Sequence, residues 1–423
     1  MIFIYKTFSF LIYLAVYPYA RLKAATGDPL WKGRLVLHDN FGQKNIWFHA
    51  ASVGEVKIIG FLVEYLLEKN PSLSIFLTTM TRTGYKTALA TLGNKVTLAY
   101  LPIDTPPLMR KLLKTLRPDM LVIAETEIWP NLILEASRCN LPIILINGRM
   151  SARAFNKYKW LRPFFVKLLA RYERFFFKAE DDLKRYLYFG IAPEKTVCAG
   201  DMKFDAPLPD RSERKIMQSR EKIGFKREDF LLVAGSTRPG EEEILMGIFK
   251  NLKKRYEKLV MVVAPRHLER IEDIKALLER NGFGYNIYDG LSLNEQVPPG
   301  ADNKRNSLVL INRMGLLNEL YLAADLAFVG GTLVPIGGHN LLEPVWGGTP
   351  VLFGPSLDNV MEAADYIVNG NFGARVDSAT ELEKIIEQVL RGEKKFAVKS
   401  TEDIQRSVTA KVGRYLLERI ENG

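Results

Sequence analysis

Short apolar runs alternate along the chain with longer segments in which apolar residues recur at helical spacing. From residue 45 onward the runs are NIWFHAA, LSIFLTT, VTLAYLP, MLVIAE, PIILIN and RFFFKA. A second series begins at residue 230 with FLLVAGS, LVMVVAP, GYNIYD, SLVLIN, LAFVGG and PVLFGP. Strands that alternate with amphipathic helices are typical of parallel α/β sheets. We therefore predict an α/β protein with two Rossmann-like, doubly wound domains.

A stretch rich in proline and charge separates the two series of predicted strands. This stretch, KFDAPLPDRSERK, covers residues 203–215 and has the composition of a linker. We expect an N-terminal domain over residues 23–205 and a C-terminal domain over residues 206–423, with the alternative that the last helix packs back on the N-terminal domain. Because doubly wound sheets bind ligands at the carboxyl ends of their strands, we expect the two domains to face each other across a cleft.

The first 20 residues, MIFIYKTFSFLIYLAVYPYA, contain one charged residue, Lys6. A spanning helix needs about 20 apolar residues, so the segment is just long enough. Four basic residues follow the apolar run by position 34, and Lys6 is the single basic residue before them. A cleaved signal peptide would have its positive charge before the apolar run, so this order predicts an uncleaved helix followed by a cytoplasmic domain. We predict an uncleaved membrane anchor over residues 1–22. A helix that lies in the membrane interface is the alternative.

The net charge of +11 is unevenly distributed. Residues 1–200 contain 28 Lys and Arg against 15 Asp and Glu, a charge of +13, whereas residues 201–423 contain 31 against 33 and carry −2. This asymmetry predicts that the first half meets an anionic membrane surface or another polyanion. Nucleic acid is the competing partner, but the chain has no zinc-finger spacing and no RNA-recognition signature, so no nucleic acid is expected.

A basic and aromatic segment lies near the end of the predicted N-terminal domain. Between Arg153 and Arg174 it contains seven Lys and Arg and one Glu, interleaved with six aromatic residues. A helix of this composition is typical of an element at a membrane surface. The alternative is a helix that packs on its own sheet and exposes a basic face.

Several motifs of catalysis and metal binding are absent from the sequence. The two cysteines, Cys139 and Cys198, form no C-x-x-C pair, which indicates a reducing compartment such as the cytoplasm. There is no P-loop, no H-E-x-x-H and no G-x-S-x-G. No Asp-x-Asp pair is present, so we expect no metal cofactor. Chemistry is left to carboxylates, basic side chains and backbone groups.

A single carboxylate stands where the first predicted strand gives way to a helix. In the stretch FHAASVGEVK, Ser52 and Glu55 have the S-x-x-E spacing of a capping box, in which each side chain bonds a backbone N–H at the helix start. Glu55 also follows the carboxyl end of a strand, where α/β enzymes bind their ligands. The residues alone leave two roles open, a helix cap and a catalyst.

Charged residues of both signs follow other predicted strands. Glu125 and Glu127 come at the end of LVIAETE, and Lys203 lies near the domain junction. An acidic and a basic side chain that meet in the cleft would orient an acceptor and offset negative charge on a departing phosphate. The alternative is that each is a surface charge.

Two loops of the second half have features of a phosphate site. FVGGTLVPIGGHNLLEP, residues 328–344, predicts a strand, a glycine-rich loop and a helix that begins at His339 or Asn340, where free N–H groups would favour a phosphate. Asn340 and Glu343 also have capping-box spacing, which explains both without a ligand. Arg266 and His267 follow the strand VVAP and would clamp a phosphate, although a solvated helix start explains them equally well.

Nine stretches, in order over nearly the whole chain, resemble the bacterial 3-deoxy-D-manno-octulosonic acid (Kdo) transferase family. They are HAASVGE, TTMTRTG, LPIDTP, ETEIWPNLI, NGRMSARA, GDMKFD, PRH, ADLAFVGGTLVPIGGHNLLEP and PVLFGP. The resemblance implies the two-domain glycosyltransferase B fold and an inverting transfer of Kdo in lipopolysaccharide core biosynthesis. It also implies CMP-Kdo as the donor, and as the acceptor a lipid A precursor, lipid IVA, at the cytoplasmic face of the inner membrane.

The resemblance further implies roles for particular residues. Glu55 corresponds to the general base of the family, and Glu125 and Lys203 correspond to residues that stabilise the transition state. The residues that correspond to CMP contacts are Pro265, Arg266, Met314, Gly315, Leu316, Asn340, Leu341, Leu342 and Glu343. Two other functions stay open, another membrane-associated nucleotide-sugar transferase of the same fold and a membrane-tethered nucleic-acid-binding protein.

Overall fold

The computed structural model describes residues 2–35, 45–205, 210–296, 307–399 and 407–422. The chain divides into two compact units, Met1–Ala206 together with Ile404–Gly423, and Pro207–Asp403. The predicted linker over 203–215 contains the division, and its residues 206–209 lie outside the described part of the chain. Both units are α/β and each contains one sheet with mostly parallel strands.

The first unit is built on a seven-stranded sheet in the order β3-β2-β1-β4-β5-β6-β7, in which every pairing is parallel. The strands are β1 (Asn45–Ala50), β2 (Ser74–Thr79), β3 (Thr97–Tyr100), β4 (Met120–Ala124), β5 (Ile143–Gly148), β6 (Arg174–Phe177) and β7 (Thr196–Cys198). The helices are α1 (Ile2–Ala25), α2 (Pro29–Leu35), α3 (Val53–Lys69), α4 (Arg82–Leu92), α5 (Pro106–Leu116), α6 (Pro130–Arg138), α7 (Ala152–Lys159), α8 (Arg162–Leu169) and α9 (Glu180–Leu187).

The second unit has an eight-stranded sheet in the order β11-β10-β12-β9-β8-β13-β14-β15, parallel except for β11 at its edge. Its strands are β8 (Phe230–Thr237), β9 (Leu259–Pro265), β10 (Tyr285–Tyr288), β11 (Leu293–Gln296), β12 (Leu308–Ile311), β13 (Leu326–Val329), β14 (Val351–Phe353) and β15 (Gly373–Arg375). Its helices are α10 (Glu213–Lys222), α11 (Glu241–Lys253), α12 (Ile271–Arg280), α13 (Leu317–Ala323), α14 (Leu342–Trp346), α15 (Met361–Asn369) and α16 (Ala379–Leu390).

Each apolar run that predicted a strand forms one. The sequence did not predict β7, β11 and β15, because β7 and β15 have three residues each and β11, LNEQ, is largely polar. The central strands are buried on both faces, as helices on both sides of a parallel sheet require. In β4, for example, Leu121 packs with Trp47 on one face, and Val122 packs with Phe48 on the other.

The last helix, α17 (Val408–Glu421), belongs to the first unit, which was the alternative left open for it. Val412 and Leu416 of this helix pack in the same core cluster as Ile58 of α3. Gly413 is required at the contact, because a Cβ there would lie 2.4 Å from the Tyr65 ring. The C-terminal helix therefore belongs to the first unit, and the second domain does not continue to residue 423 as expected.

The N-terminal segment forms α1 and packs on the first unit at its beginning. The Tyr5 hydroxyl donates to Oδ2 of Asp104 at 3.2 Å, and Lys6 Nζ lies 3.0 Å from Oε1 of Glu135. Further along, the helix exposes the apolar side chains of Phe8, Leu11, Leu14 and Leu22. A spanning anchor was expected over residues 1–22. In the described part of the chain, no helix has the length and apolar character needed to cross a bilayer.

The basic and aromatic segment is two helices and not one. Helix α7 ends at Lys159, and α8 starts afresh with Pro163 in its first turn, where a proline is tolerated. Phe164 and Phe165 are buried in the core of the first unit, whereas Trp160 at the junction is 88% exposed. The segment therefore packs on its own unit through α8 and presents Trp160 to solvent.

Candidate functional site

The carboxylates singled out in the sequence lie where the strand order of the first sheet reverses. The chain runs outward from β1 to β2 and β3 on one side and from β4 to β5 and β6 on the other. Loops that leave neighbouring strands at such a switch point turn to opposite faces of the sheet, which opens a crevice between them. Glu55 follows β1 and Glu125 follows β4, so both stand at this crevice.

Glu55 is held by a modified helix cap. Ser52 is the N-cap of α3, and its Oγ accepts the Glu55 N–H at 3.3 Å and donates to Oε1 of Glu55 at 2.8 Å. The other carboxylate oxygen, Oε2, accepts the N–H of Ala51 at 2.7 Å. The expected capping box differs in one respect, since the Glu55 carboxylate accepts the backbone N–H of Ala51, the residue before the N-cap, and not the backbone N–H of Ser52. The cap fixes the carboxylate and does not exclude a chemical role.

Glu55 is 6% exposed, and the environment of its carboxylate favours the neutral acid. Burial, with a smaller contribution from the charges of Glu127 and Glu125, raises the pKa of Glu55 to about 7 against the opposing effect of the hydrogen bonds from Ala51 and Ser52. A carboxylate with a pKa near neutrality can take up and release a proton under physiological conditions. This is the property that a general base needs.

Glu125 lies between two cations. Its Oε1 is 3.5 Å from Lys203 Nζ, and its Oε2 is 3.6 Å from a guanidinium nitrogen of Arg149. The backbone of Glu125 has φ +56°, a left-handed conformation that is uncommon for a residue with a side chain and is found more often at functional sites. The structure therefore brings Glu125 and Lys203 together, which is one of the two alternatives that the sequence left open.

Asn147, which the sequence did not single out, positions Lys203. Asn147 is buried, has φ +51°, and accepts the Met202 N–H through Oδ1 at 2.9 Å. That bond ties the short turn containing Lys203 to the end of β5, next to β4 in the sheet. Its only signal in the sequence is the strand end PIILIN, where an asparagine tolerates the left-handed conformation.

The second unit has a cavity of about 320 Å³ at the carboxyl ends of β8, β9 and β12. It is lined by Ser236, Ala264, Pro265, Arg266, Ile311, Arg313, Met314, Gly315, Leu316, Leu317, Asn318, His339, Asn340 and Glu343. These include most of the residues that correspond to CMP contacts. Leu341 and Leu342 are the exceptions, because both side chains are buried and neither lines the cavity.

Asn340 and Glu343 do not form the expected capping box. Helix α14 begins at Leu342, later than predicted, and its N-cap Leu341 has no side-chain cap. Asn340 Oδ1 accepts the Leu342 N–H at 3.2 Å, and the Asn340 amide donates to Oε1 of Glu343 at 3.0 Å. The pair lies on the cavity wall, where Asn340 fixes the Glu343 carboxylate.

The glycine-rich loop does not offer its N–H groups to a ligand. The buried carboxylate of Glu241 accepts the N–H groups of Gly331, Thr332 and Leu333, and Gly337 N–H donates to Ser356 Oγ. A carboxylate of the protein itself therefore occupies these N–H groups, and the phosphate expected at the helix start near His339 and Asn340 stays a prediction. Gly331, with φ +71°, is needed for the turn that delivers three donors to Glu241.

A cluster of basic side chains borders the cavity. Arg238 Nε donates to Nε2 of His339 at 2.9 Å, and one of its terminal nitrogens lies 2.6 Å from Nε2 of His267. Burial, together with the charges of Arg238 and Arg266, lowers the pKa of His339 to about 4. His339 is therefore neutral at physiological pH and acts as an acceptor for Arg238.

Ser236 and Arg238 were missed at the sequence level, although the strand end AGS was noted. The register between β8 and β9 shifts at Ser236, which has φ +57° and points the chain into the cavity wall. No residue spacing in the sequence predicts this register shift. Among the described residues, no group of three or more His, Cys, Asp or Glu side chains is placed to hold a metal ion.

Comparison with known proteins agrees with the motifs. Residues 30–206 match the family model described as 3-Deoxy-D-manno-octulosonic-acid transferase (kdotransferase). The chain is 34% identical over 350 residues to 3-deoxy-D-manno-octulosonic acid transferase of Haemophilus influenzae, covering 82% of this chain and 79% of the relative. It is 37% identical over 354 residues to a bifunctional glycosyltransferase/methyltransferase of Fusobacterium nucleatum, covering 82% of this chain and 53% of the relative, so it spans about half the length of that protein.

Among solved structures, the fold is similar to that of UDP-GlcNAc 2-epimerase from Neisseria meningitidis bound to UDP-GlcNAc. The TM-score is 0.54 at 14% identity, with 90% of this chain and 100% of the epimerase chain covered. At this identity the likeness concerns the fold. The family model and the relatives match the amino-acid sequence itself, and the chain therefore belongs to the 3-deoxy-D-manno-octulosonic acid transferase family.

Proposed function

We propose that this protein transfers Kdo from CMP-Kdo to a phosphorylated lipid A precursor, lipid IVA, in lipopolysaccharide core biosynthesis. The observation that carries the proposal is the buried Glu55 carboxylate, with its pKa raised to about 7, at the switch point that also holds Glu125 and Lys203. The glycosyltransferase B arrangement of the two units is part of the proposal. No metal takes part in the proposed reaction.

In the proposed reaction Glu55 is the general base. Its carboxylate takes the proton of an acceptor hydroxyl, the hydroxyl oxygen forms a bond to the anomeric carbon of Kdo, and the bond from that carbon to the CMP phosphate breaks. CMP leaves with the electron pair, and a single displacement inverts the anomeric centre. General-base assistance typically contributes about 10²- to 10⁴-fold, so electrostatic stabilisation has to supply much of the remaining rate.

Lys203 is proposed to supply part of that stabilisation. It is half-exposed and held beside Glu125, so its ammonium has a defined position. A cation fixed near the reacting centre stabilises negative charge that develops on the departing phosphate. Glu125 orients this cation, and its charge adds a small contribution to the burial that raises the pKa of Glu55.

The cavity of the second unit is proposed to bind CMP. Arg266 lies on its wall and offers a planar fork of donors that suits a phosphate. Glu343, held by Asn340, would accept hydrogen bonds from the nucleotide. Met314, Gly315 and Leu316 form the part of the wall where an apolar surface would contact the base or ribose.

We place the protein at the cytoplasmic face of the bacterial inner membrane. Helix α1 exposes a row of large apolar side chains, and Arg21 and Lys23 follow near its end, which is the composition of a helix lying in the interface. The +13 charge of residues 1–200 would add attraction to anionic lipids. Co-sedimentation with anionic but not zwitterionic vesicles is the expected behaviour, and equal recovery with both would contradict it.

The function is tested by incubating the purified protein with CMP-Kdo and lipid IVA and analysing the lipid by mass spectrometry. A mass increase of one or more Kdo units is expected, with release of CMP and no loss of activity in EDTA. A UDP-sugar in place of CMP-Kdo tests the other nucleotide-sugar transferases. Transfer from the UDP-sugar alone, or tight salt-sensitive RNA binding without any transfer, would show that the proposed function is wrong.

A further inference from the structure

The first unit has a second concave surface that the proposed chemistry does not use. A groove of about 530 Å³ lies between α2, α4 and the end of β3, and we name it the α2–α4 groove. Its apolar lining includes Pro29, Leu30, Tyr85, Leu89, Leu98 and Tyr100. Leu89 is 56% exposed and no side chain of α2 is buried, so this apolar surface is not covered by the described part of the chain.

Two stacked tyrosines form the floor of the groove. Tyr85 of α4 stacks on Tyr100 of β3 with ring centroids 4.6 Å apart. Gly33 of α2 approaches the same ring, since a Cβ at this position would lie 2.8 Å from Tyr100 Cδ2. The glycine allows α2 to come this close to β3. Residues of α2, α4 and β3 therefore form a defined groove, and two aromatic rings lie at its base.

The charged side chains that line the groove are all basic. Lys32, Arg82 and Lys86 line it, and no acidic side chain does among the described residues. Asp28 pairs with Arg82 at 2.6 Å. For Lys32 and Lys86, no ion pair is found within the described part of the chain. An apolar base with unneutralised cations is complementary to a molecule that has a hydrocarbon portion and an anionic group.

The groove lies beside the loop that holds Glu55. Thr81, the N-cap of α4, donates through Oγ1 to the Ala51 carbonyl at 3.3 Å, and the Ala51 N–H bonds Glu55. Strand β2 is the single strand between β1, which leads to Glu55, and β3, which leads to the groove. At about 4.8 Å per strand, the carboxyl ends of β1 and β3 are roughly 10 Å apart. One amphiphilic molecule can therefore reach both.

We propose that the α2–α4 groove binds an acyl chain of the phosphorylated glycolipid acceptor, with Lys32 and Lys86 at an acceptor phosphate. This inference rests on the proposed function, because it assigns the groove to the same acceptor whose hydroxyl meets Glu55. A soluble phosphate compound would not require the tyrosine floor, and an apolar peptide would not require the cations. The groove selects acylated acceptors and holds them in register with Glu55.

Two variants separate the apolar and the basic parts of the groove. Leu89→Glu places a negative charge on the apolar wall at an exposed position, and Thr91→Glu, on the same helix but outside the groove, is its matched control. Lys86→Gln removes one cation, and Lys114→Gln on the exposed side of α5 is the control for that change. All four positions are exposed, so we expect each variant to fold.

Direct binding is measured by calorimetric titration of the full chain with dodecyl phosphate below its micellar concentration, and with octyl phosphate and inorganic phosphate. Burial of a methylene changes affinity by roughly fourfold, so we expect octyl phosphate to bind at least tenfold more weakly than dodecyl phosphate. Leu89→Glu should weaken dodecyl phosphate at least tenfold and Thr91→Glu should not. Equal affinities for the two alkyl phosphates, or equal effects of the two variants, would overturn the proposal.

The second measurement uses transfer. The ratio of kcat/KM for the acylated acceptor to kcat/KM for the fully deacylated acceptor is expected to fall at least tenfold in Leu89→Glu and to stay at the wild-type value in Thr91→Glu. A ratio that is the same in both variants would contradict the groove assignment even if Kdo transfer occurs. If the wild-type protein transfers Kdo to neither acceptor, the proposed function fails, and the alkyl phosphate titration still decides whether the groove binds an anionic amphiphile.

Discussion

Lys203 Nζ lies 3.5 Å from Oε1 of Glu125, although one residue follows β7 and the other follows β4. The contact depends on two left-handed residues, Glu125 itself and Asn147, whose side chain holds the turn before Lys203. For Glu125 the left-handed conformation costs on the order of 1–3 kcal/mol and persists only where the surroundings enforce it. The first unit thus stabilises a strained arrangement in order to fix one cation.

Lys203→Met is expected to reduce Kdo transfer about 10²-fold or more while changing stability little. The side chain is 41% exposed, so its ion pair contributes only about 0–1 kcal/mol, whereas loss of a positioned charge near a departing phosphate is far more costly to the rate. Initial rates and melting temperature are the measurements, with Lys114→Met as control. Wild-type turnover in Lys203→Met would mean that Lys203 is only a surface charge.

Glu55→Gln is expected to fold and to lose turnover. The Gln oxygen can accept the Ala51 N–H and the amide can donate to Ser52 Oγ, so the cap survives, but Gln cannot take a proton. Product formation should fall at least 10²-fold. A variant that folds and keeps its activity would show that Glu55 is a cap alone.

The pH dependence follows from the raised pKa of Glu55, about 7 against an ordinary 4.5. Since the reaction needs the ionised base, kcat/KM should fall about tenfold per pH unit below pH 7. The stability effect has the opposite sign. Stability from the neutral acid is complete below pH 4.5 and is lost as pH rises through 7, so Glu55→Gln should melt at a higher temperature than wild type at pH 8. Melting curves at pH 5 and pH 8 check this, and equal differences at both values would contradict it.

Arg238→Gln is expected to weaken CMP binding about tenfold, although Arg238 does not line the cavity. Arg238 holds His339 and His267 together, and its charge helps to keep the pKa of His339 near 4. Removal of the charge should raise the His339 pKa toward its ordinary value, which NMR titration of the imidazole measures. An unchanged His339 titration together with unchanged CMP affinity would exclude this positioning role.

Leu341→Ala and Glu343→Gln should have opposite effects on stability and on CMP affinity. Leu341 is fully buried away from the cavity, so its truncation should cost about 2–5 kcal/mol of stability, while the CMP affinity of the folded protein is retained. Glu343 lies on the cavity wall, so Glu343→Gln should fold normally and bind CMP more weakly. Urea unfolding and CMP titration on both variants make the comparison. A stable Leu341→Ala that fails to bind CMP would return Leu341 to the donor site.

Much of the architecture and of the first site follows from local pattern. Apolar runs of four to eight residues at regular intervals indicate buried parallel strands wherever they occur, because both faces of such strands need apolar side chains. The strand ends then locate Glu55 and Glu125, since a parallel sheet gathers its ligand-binding loops at one edge. Family membership likewise rests on contiguous motifs that can be read without a structure.

Contacts between distant residues could not be read in this way. The sequence by itself determined the strands, the helices between them and the motifs at their ends, because these depend on neighbouring residues. Only the tertiary structure decided that α17 packs on α3, that Glu241 takes the N–H groups of the glycine loop, and that Leu341 turns away from the cavity. In each case a backbone or side-chain group is satisfied by a partner far along the chain, and the choice among such partners depends on packing of the whole unit.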